Sequence, residues 1–199
     1  MNPTLQYYLG NFATSQEISV QSQSLRAILF SKDDLDDEEM LSAVKHFVAQ
    51  QKEIESDTVT ILNIAIMPGY GSEYFGLGGA DWNKKAVLFK SLIAQFPQVI
   101  SFKFKYADCA CMAGQPEQEY YPILEEGMLH DKTNTYYPSA ELFEAIRESE
   151  YNFRFDLLLL DKYRQPCSKD DFADYIDELK EQYNTSDQIE QLDKLQWKG

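Results

Sequence analysis

The chain has 199 residues, 44% apolar and 14% aromatic, with 33 Asp and Glu against 18 Lys and Arg for a net charge of -15. That apolar content falls into periodic segments and excludes a disordered chain. A pI near 4.5 excludes nucleic acid and anionic membrane surfaces as partners, because phosphate backbones require clustered cations.

Residues 1–24 carry no clear pattern. Met1-Asn-Pro-Thr lacks the basic start and apolar run of a signal peptide, and no stretch approaches the roughly 18 apolar residues of a membrane span. Cys109, Cys111 and Cys167 make an odd number, which fits reduced thiols in a cytosol. A soluble, cytoplasmic protein is expected.

Leu25–Phe30 is a short apolar run predicted as a strand, followed by an acidic stretch. Met40, Leu41, Val44, Phe47 and Val48 then recur at helical spacing. Thr58–Met67, TVTILNIAIM, is β-branched and apolar almost throughout, the pattern of a strand covered on both faces. It stops at Pro68-Gly69, and a glycine-rich loop leads to Asp81, a predicted N-cap. The helix after it carries Trp82, Ala86, Phe89, Ile93 and Phe96 on one stripe until Pro97 ends it.

Val99–Tyr106 alternates: Ile100, Phe102, Phe104 and Tyr106 on one side, Ser101, Lys103 and Lys105 on the other. This predicts a strand with one solvated face. A long acidic connection over residues 107–138 follows. Ser139–Ser149 reads as a helix with Leu142, Phe143 and Ile146 inward, and Phe153–Leu160, FRFDLLLL, as a last strand. Ser168 opens an acidic helix with the stripe Phe172, Tyr175, Ile176, Leu179 and Tyr183. A short helix over 186–195 places Ile189, Leu192 and Leu195 on one side. This order predicts an α/β fold, with α+β as the alternative: one layered domain over 1–199, with a partly parallel mixed sheet of about four to six strands flanked by helices.

Chemistry-bearing motifs are sparse. The loop from Pro68 to Gly79 lies between a predicted strand and a helix N-terminus, where an α/β fold holds phosphate. Its spacing fits neither a dinucleotide fingerprint nor a P-loop, and Glu73 and Asp81 would repel an anion. Cys109-Ala-Cys111 lacks the two-residue gap of a zinc pair, and only Cys167, His46 and His130 remain to complete four ligands. Small, partly buried thiols in a loop after a strand are the simpler expectation. The run Asp33-Asp-Leu-Asp-Asp-Glu-Glu39 lacks the spacing of a calcium loop and suits the first turn of a helix. The acids around 170–178 read as a solvated helix face. No catalytic residue, cofactor site or metal site is assigned.

What remains is charge. Between Asp108 and Glu150 there are ten acids and two bases, mixed with Tyr120, Tyr121, Tyr136 and Tyr137. Acidic surface furnished with rings suits a basic protein partner, since charge steers the encounter and aromatic rings supply contact area. The expected contacts are Glu117, Glu119, Tyr120, Tyr121, Glu125 and Glu126, with Asp33, Asp34, Asp36 and Asp37 as a second patch. The expected function is an acidic module that neutralises a basic partner, most concretely an immunity or antitoxin protein covering the cationic active site of a toxin. The chain is similar to such proteins in size, acidity and want of enzymatic motifs, and no motif carries the comparison. A small enzyme or ligand-binding protein using loop 68–79 is the alternative.

Overall fold

A computed structural model describes residues 3–15, 17–30, 35–67, 76–77, 79–134, 136–163 and 168–197. Among them are eleven α-helices, one π-helical segment and no strand. The expected α/β or α+β fold is therefore replaced by an all-helical one. The chain divides into two compact units, residues 1–115 and 116–199, and the boundary falls inside the stretch read from sequence as a long connection.

The first unit holds α1 (Pro3–Thr14), α2 (Ile18–Leu29), α3 (Asp37–Gln50), α4 (Ser56–Ile66), α5 (Trp82–Gln95) and α6 (Ile100–Met112). α1 packs on α2, and α5 and α6 form a tight αα-hairpin. Contacts run α2–α3–α5–α6–α4 and back to α2, closing a ring. Leu25, Ile28, Leu29, Val44, Phe47, Leu62, Phe89, Leu92 and Phe102 are buried in it. α3 starts with a capping box: the Asp36 carboxylate accepts from Glu39 N–H at 2.9 Å, and the Glu39 carboxylate accepts from Asp36 N–H at 3.1 Å. An ion pair between Lys84 and Glu38 ties α5 to α3.

Every segment predicted as a strand is helical. Leu25–Leu29 lies in α2, Thr58–Ile66 in α4, Ile100–Tyr106 in α6 and Phe153–Leu158 in α9 (Asn152–Leu158). The physical reason is clearest in α6. Phe102, Lys103, Phe104, Tyr106, Ala107, Asp108, Cys109 and Ala110 are all buried. A helix covered nearly all round shows no 3.6-residue stripe, so a short apolar run of this kind reads equally well as a strand. The supposed solvated face is illusory, because Lys103 is only 3% exposed.

The turn into α5 rests on one glycine. Gly76 has φ +53°, and a Cβ added there would overlap the carbonyl oxygen of Ala65. The next residue, Leu77, donates its N–H to that same oxygen at 2.7 Å, satisfying one of the orphan carbonyls at the end of α4. A Gly76→Ala variant meets both the left-handed backbone penalty and the overlap, and is expected to lose about 2 kcal/mol or more. Urea denaturation checks this. Unchanged stability would show that the turn relaxes freely.

The second unit holds α7 (Glu117–His130), α8 (Ala140–Arg147), α9, a π-helical segment (Leu159–Tyr163), α10 (Lys169–Gln182) and α11 (Ser186–Asp193). α7 packs on α8 and α9, burying Tyr120, Tyr121, Leu124 and Met128. α10 and α11 pack together over Phe153, Leu160, Phe172, Ile176, Leu179, Tyr183 and Leu192. Inside this cluster the Tyr183 hydroxyl donates to the buried Asp156 carboxylate at 2.7 Å. The wider π turn directs two consecutive side chains onto the end of α7. Lys162 Nζ donates to the carbonyls of Leu129 (2.5 Å) and Met128 (3.2 Å), and the Tyr163 hydroxyl lies 3.1 Å from Met128 O. Orphan carbonyls at the C-terminus of α7 are thereby satisfied by side chains.

Candidate functional site

The predicted contact residues scatter by burial. Asp33 and Asp34 lie outside the described residues. Asp36 is exposed but its carboxylate serves the α3 capping box, and Asp37 is half-buried in the first turn of that helix. Glu117 and Glu119 occupy the first turn of α7, where the helix dipole favours acids. Glu119 and Glu126 are exposed, and Glu125 pairs with Arg154 at 2.5 Å.

Tyr120 and Tyr121 are core residues, 1% and 0% exposed. Tyr121 stacks on Tyr151 with ring centroids 4.4 Å apart, and meets Phe155 edge-on at 6.5 Å. Burial, with the Glu125 carboxylate beside it, pushes the Tyr121 phenol up. Neither ring offers contact area to a partner. Of the two later tyrosines in the segment, Tyr136 is half-buried and Tyr137 is 73% exposed.

The charge itself is concentrated. Residues 116–199 carry 20 acidic and 9 basic side chains, a net of -11, against -4 for residues 1–115. On α10 the acids Asp170, Asp171, Asp174, Asp177, Glu178 and Glu181 are all exposed. Lys180 answers two carboxylates, Asp193 at 2.7 Å and Asp177 at 3.8 Å. The spacing sets like charges four apart at Asp170/Asp174, Asp174/Glu178 and Asp177/Glu181, each pair costing an isolated helix about 0.2–0.5 kcal/mol. The same unit has an open groove of about 350 Å³ walled by Leu129, Leu157, Leu158 and Leu195, with the Glu125–Arg154 pair at its rim. Leu129 is 54% exposed.

Asp131, at the end of α7, has a structural use. Burial works against its ionisation. Hydrogen bonds accepted from the Thr133 hydroxyl (2.7 Å), the Thr133 N–H (2.9 Å) and the Tyr163 hydroxyl (3.0 Å) nevertheless hold its carboxyl below the usual carboxylate range.

In the first unit, the motifs singled out from sequence take structural places. Residues 68–75 and 78 of the glycine-rich loop lie outside the described residues. The loop follows helix α4, so the strand-loop-helix frame that gave the phosphate reading its meaning is gone. Asp81 caps α5 by accepting from Asn83 N–H at 2.9 Å, placing a carboxylate where an anion would sit. Cys109 is fully buried with its Sγ 3.8 Å from Met67 Sδ. Burial pushes its thiol up to about 12, Asp108 adding to the rise while Lys85 and Lys105 oppose it. That is an inert thiol. Cys111 is half-buried, and Cys167 lies outside the described residues. Among the described residues no three His, Cys, Asp or Glu side chains are grouped to hold a metal ion, and no helix is long and apolar enough to cross a membrane.

One feature of this unit has no counterpart in the sequence reading. Where the α1–α2 turn meets the end of α3, a cleft of about 640 Å³ is lined by the side chains of Gln21, Gln50 and Gln51. Gln21 and Gln51 are 5% and 4% exposed. Glutamine is ordinarily a surface residue, and nothing in the string Ala49-Gln50-Gln51 distinguishes a buried amide from a solvated one.

No family model, curated protein or solved structure matches the chain.

Proposed function

We propose that the chain is an acidic protein-binding module that holds a basic partner, in its most concrete form a cytoplasmic immunity or antitoxin protein that covers the cationic active site of a toxin. The observation that carries this reading is the gathering of negative charge in residues 116–199, where α10 keeps six outward acids despite their mutual repulsion. A helix face that only needed solvation would gain stability from alternating signs. One-signed charge steers an oppositely charged protein and accelerates association. Contact area for the docked state is supplied by Tyr137 and by the leucine-walled groove beside Leu129, since hot spots are apolar or aromatic anchors within a polar rim.

The test is affinity capture by the full chain at low salt, followed by stopped-flow association with the captured protein. A partner of strongly basic pI is expected, with an association rate falling about tenfold as salt rises from about 20 to 200 mM. Neutralising Asp170, Asp174 and Asp177 to Asn and Glu181 to Gln is expected to slow association about tenfold with little change in dissociation. The substitutions relieve like-charge pairs but also remove the first-turn acid Asp170 and the Asp177–Lys180 contact, so circular dichroism of the variant accompanies the rate measurement. An acidic partner, or rates indifferent to salt and to the four substitutions, would discard the reading.

A further inference from the structure

The amide-lined cleft of the first unit is a second, independent feature, and hydrogen-bond bookkeeping fixes its polarity. The carbonyl of Ser15 can only accept, so the atom of Gln21 lying 2.6 Å from it is the amide nitrogen. The other hydrogen of that nitrogen goes to Gln50 Oε1 at 2.9 Å. Gln50 must therefore present its own Nε2 to His46, 2.8 Å from the ring Nε2, which makes that ring nitrogen the acceptor. Gln21 Oε1 in turn accepts from Gln51 Nε2. Each amide in the row is thus oriented by its neighbour, beginning from one main-chain oxygen.

Gln51 ends the row. Its backbone carbonyl accepts from Gln95 Nε2 at 2.6 Å, which anchors the residue to α5. Its side chain donates one hydrogen to Gln21, while its second amide hydrogen and its carboxamide oxygen have no protein partner among the described residues. The residue is 4% exposed and lines the cleft. Its carboxamide oxygen keeps contact with solvent, so a molecule entering the cleft can meet one open donor and one open acceptor on the same side chain.

The rest of the wall has the same double character. The Ser15 hydroxyl accepts from Glu17 N–H at 3.1 Å and has a proton to give, and the Thr14 hydroxyl donates to Gly10 O at 2.7 Å and has lone pairs to offer. Lys52 and Glu53 border the cleft with one charge of each sign. The local balance is therefore neutral. A phosphate or carboxylate would face the Gln51 oxygen and Glu53, and a cation would face Lys52. A hydroxyl group both donates and accepts, so a row of hydroxyls matches a row of amides and hydroxyls. The volume lies within the range of small-molecule sites.

We propose that this cleft binds a neutral polyhydroxylated ligand, a mono- or disaccharide, with Gln51 as its central contact. The test follows the side-chain amide resonances of Gln21, Gln50 and Gln51 in the full chain by NMR. Glucose, galactose, N-acetylglucosamine and trehalose are titrated to about 10 mM, with glucose 6-phosphate as the charged comparison. At least one neutral sugar is expected to move the Gln51 amide signals saturably, glucose 6-phosphate more weakly than glucose, and Gln51→Ala to weaken binding about tenfold. No movement with any of the four sugars would overturn the proposal, as would a stronger response to the phosphorylated sugar, or equal binding by a folded Gln51→Ala variant. Should that variant fail to fold, the wild-type titration alone decides the matter.

Discussion

Replacing Phe102 by alanine is expected to remove about 3–5 kcal/mol of stability, a large share of the 5–15 kcal/mol that typically separates folded from unfolded chains. Phe102 has no exposed surface and its ring lies 6.1 Å from that of Phe89 across the α5–α6 hairpin. Truncation leaves a ring-sized void between two helices that other elements of the first unit also brace, so little collapse can fill it. Val87, on the same α5 helix but 53% exposed, provides the contrast: Val87→Ala should stay within about 0.5 kcal/mol of the parent. Urea unfolding followed by far-UV circular dichroism checks both. A Phe102→Ala protein as stable as the Val87→Ala protein would show that α6 does not lie in the core.

The second large effect is a loss of stability in alkali. Cys109 has a folded-state value of about 12 against 9.0 for an ordinary thiol. Folding therefore favours the neutral form. Its contribution is intact below pH 9 and is lost as pH rises, because the unfolded chain ionises there while the folded one does not. At about 1.4 kcal/mol per pH unit, this one thiol removes about 2 kcal/mol by pH 10.5 and about 4 kcal/mol by pH 12. Tyr121, Tyr163 and Tyr183 act in the same sense at higher pH. Burial raises each first, and the carboxylates of Glu125, Asp131 and Asp156 respectively raise them further. Denaturation at pH 8 and pH 10.5 is expected to differ by about 2 kcal/mol or more, with the gap narrowed by about 2 kcal/mol in Cys109→Ala. A flat profile to pH 10.5 would place the thiol in contact with solvent.

Sequence patterns were legible where a helix has one wet face and a marked start. The α3 periodicity selects Met40, Leu41, Val44, Phe47 and Val48, the same five residues that the helix buries. Asp81 was readable as an N-cap, and Ser139 and Ser168 as the starts of helices; each accepts from a backbone N–H in the following turn. Legibility fails where a helix is covered on most sides. α4 and α6 then lose their stripe, and β-branched or alternating residues mimic strands. α7 was hidden differently: Pro122 sits inside it and argues for a break, although Tyr120, Tyr121, Leu124 and Met128 keep helical spacing. At the candidate sites, net charge could be counted from the residues. The depth of a tyrosine or a glutamine could not, because both types occur buried and exposed according to tertiary packing alone.

The placement of Trp82 has a practical consequence. Lys85 Nζ stands 4.1 Å from its ring centroid, and the only other tryptophan, Trp197, belongs to the second unit and is 39% exposed. Each half of the molecule thus contains a single indole in its own setting, one beneath an ammonium group and one open to water. Intrinsic fluorescence, with each tryptophan replaced by phenylalanine in turn, can follow the two halves separately without any attached dye.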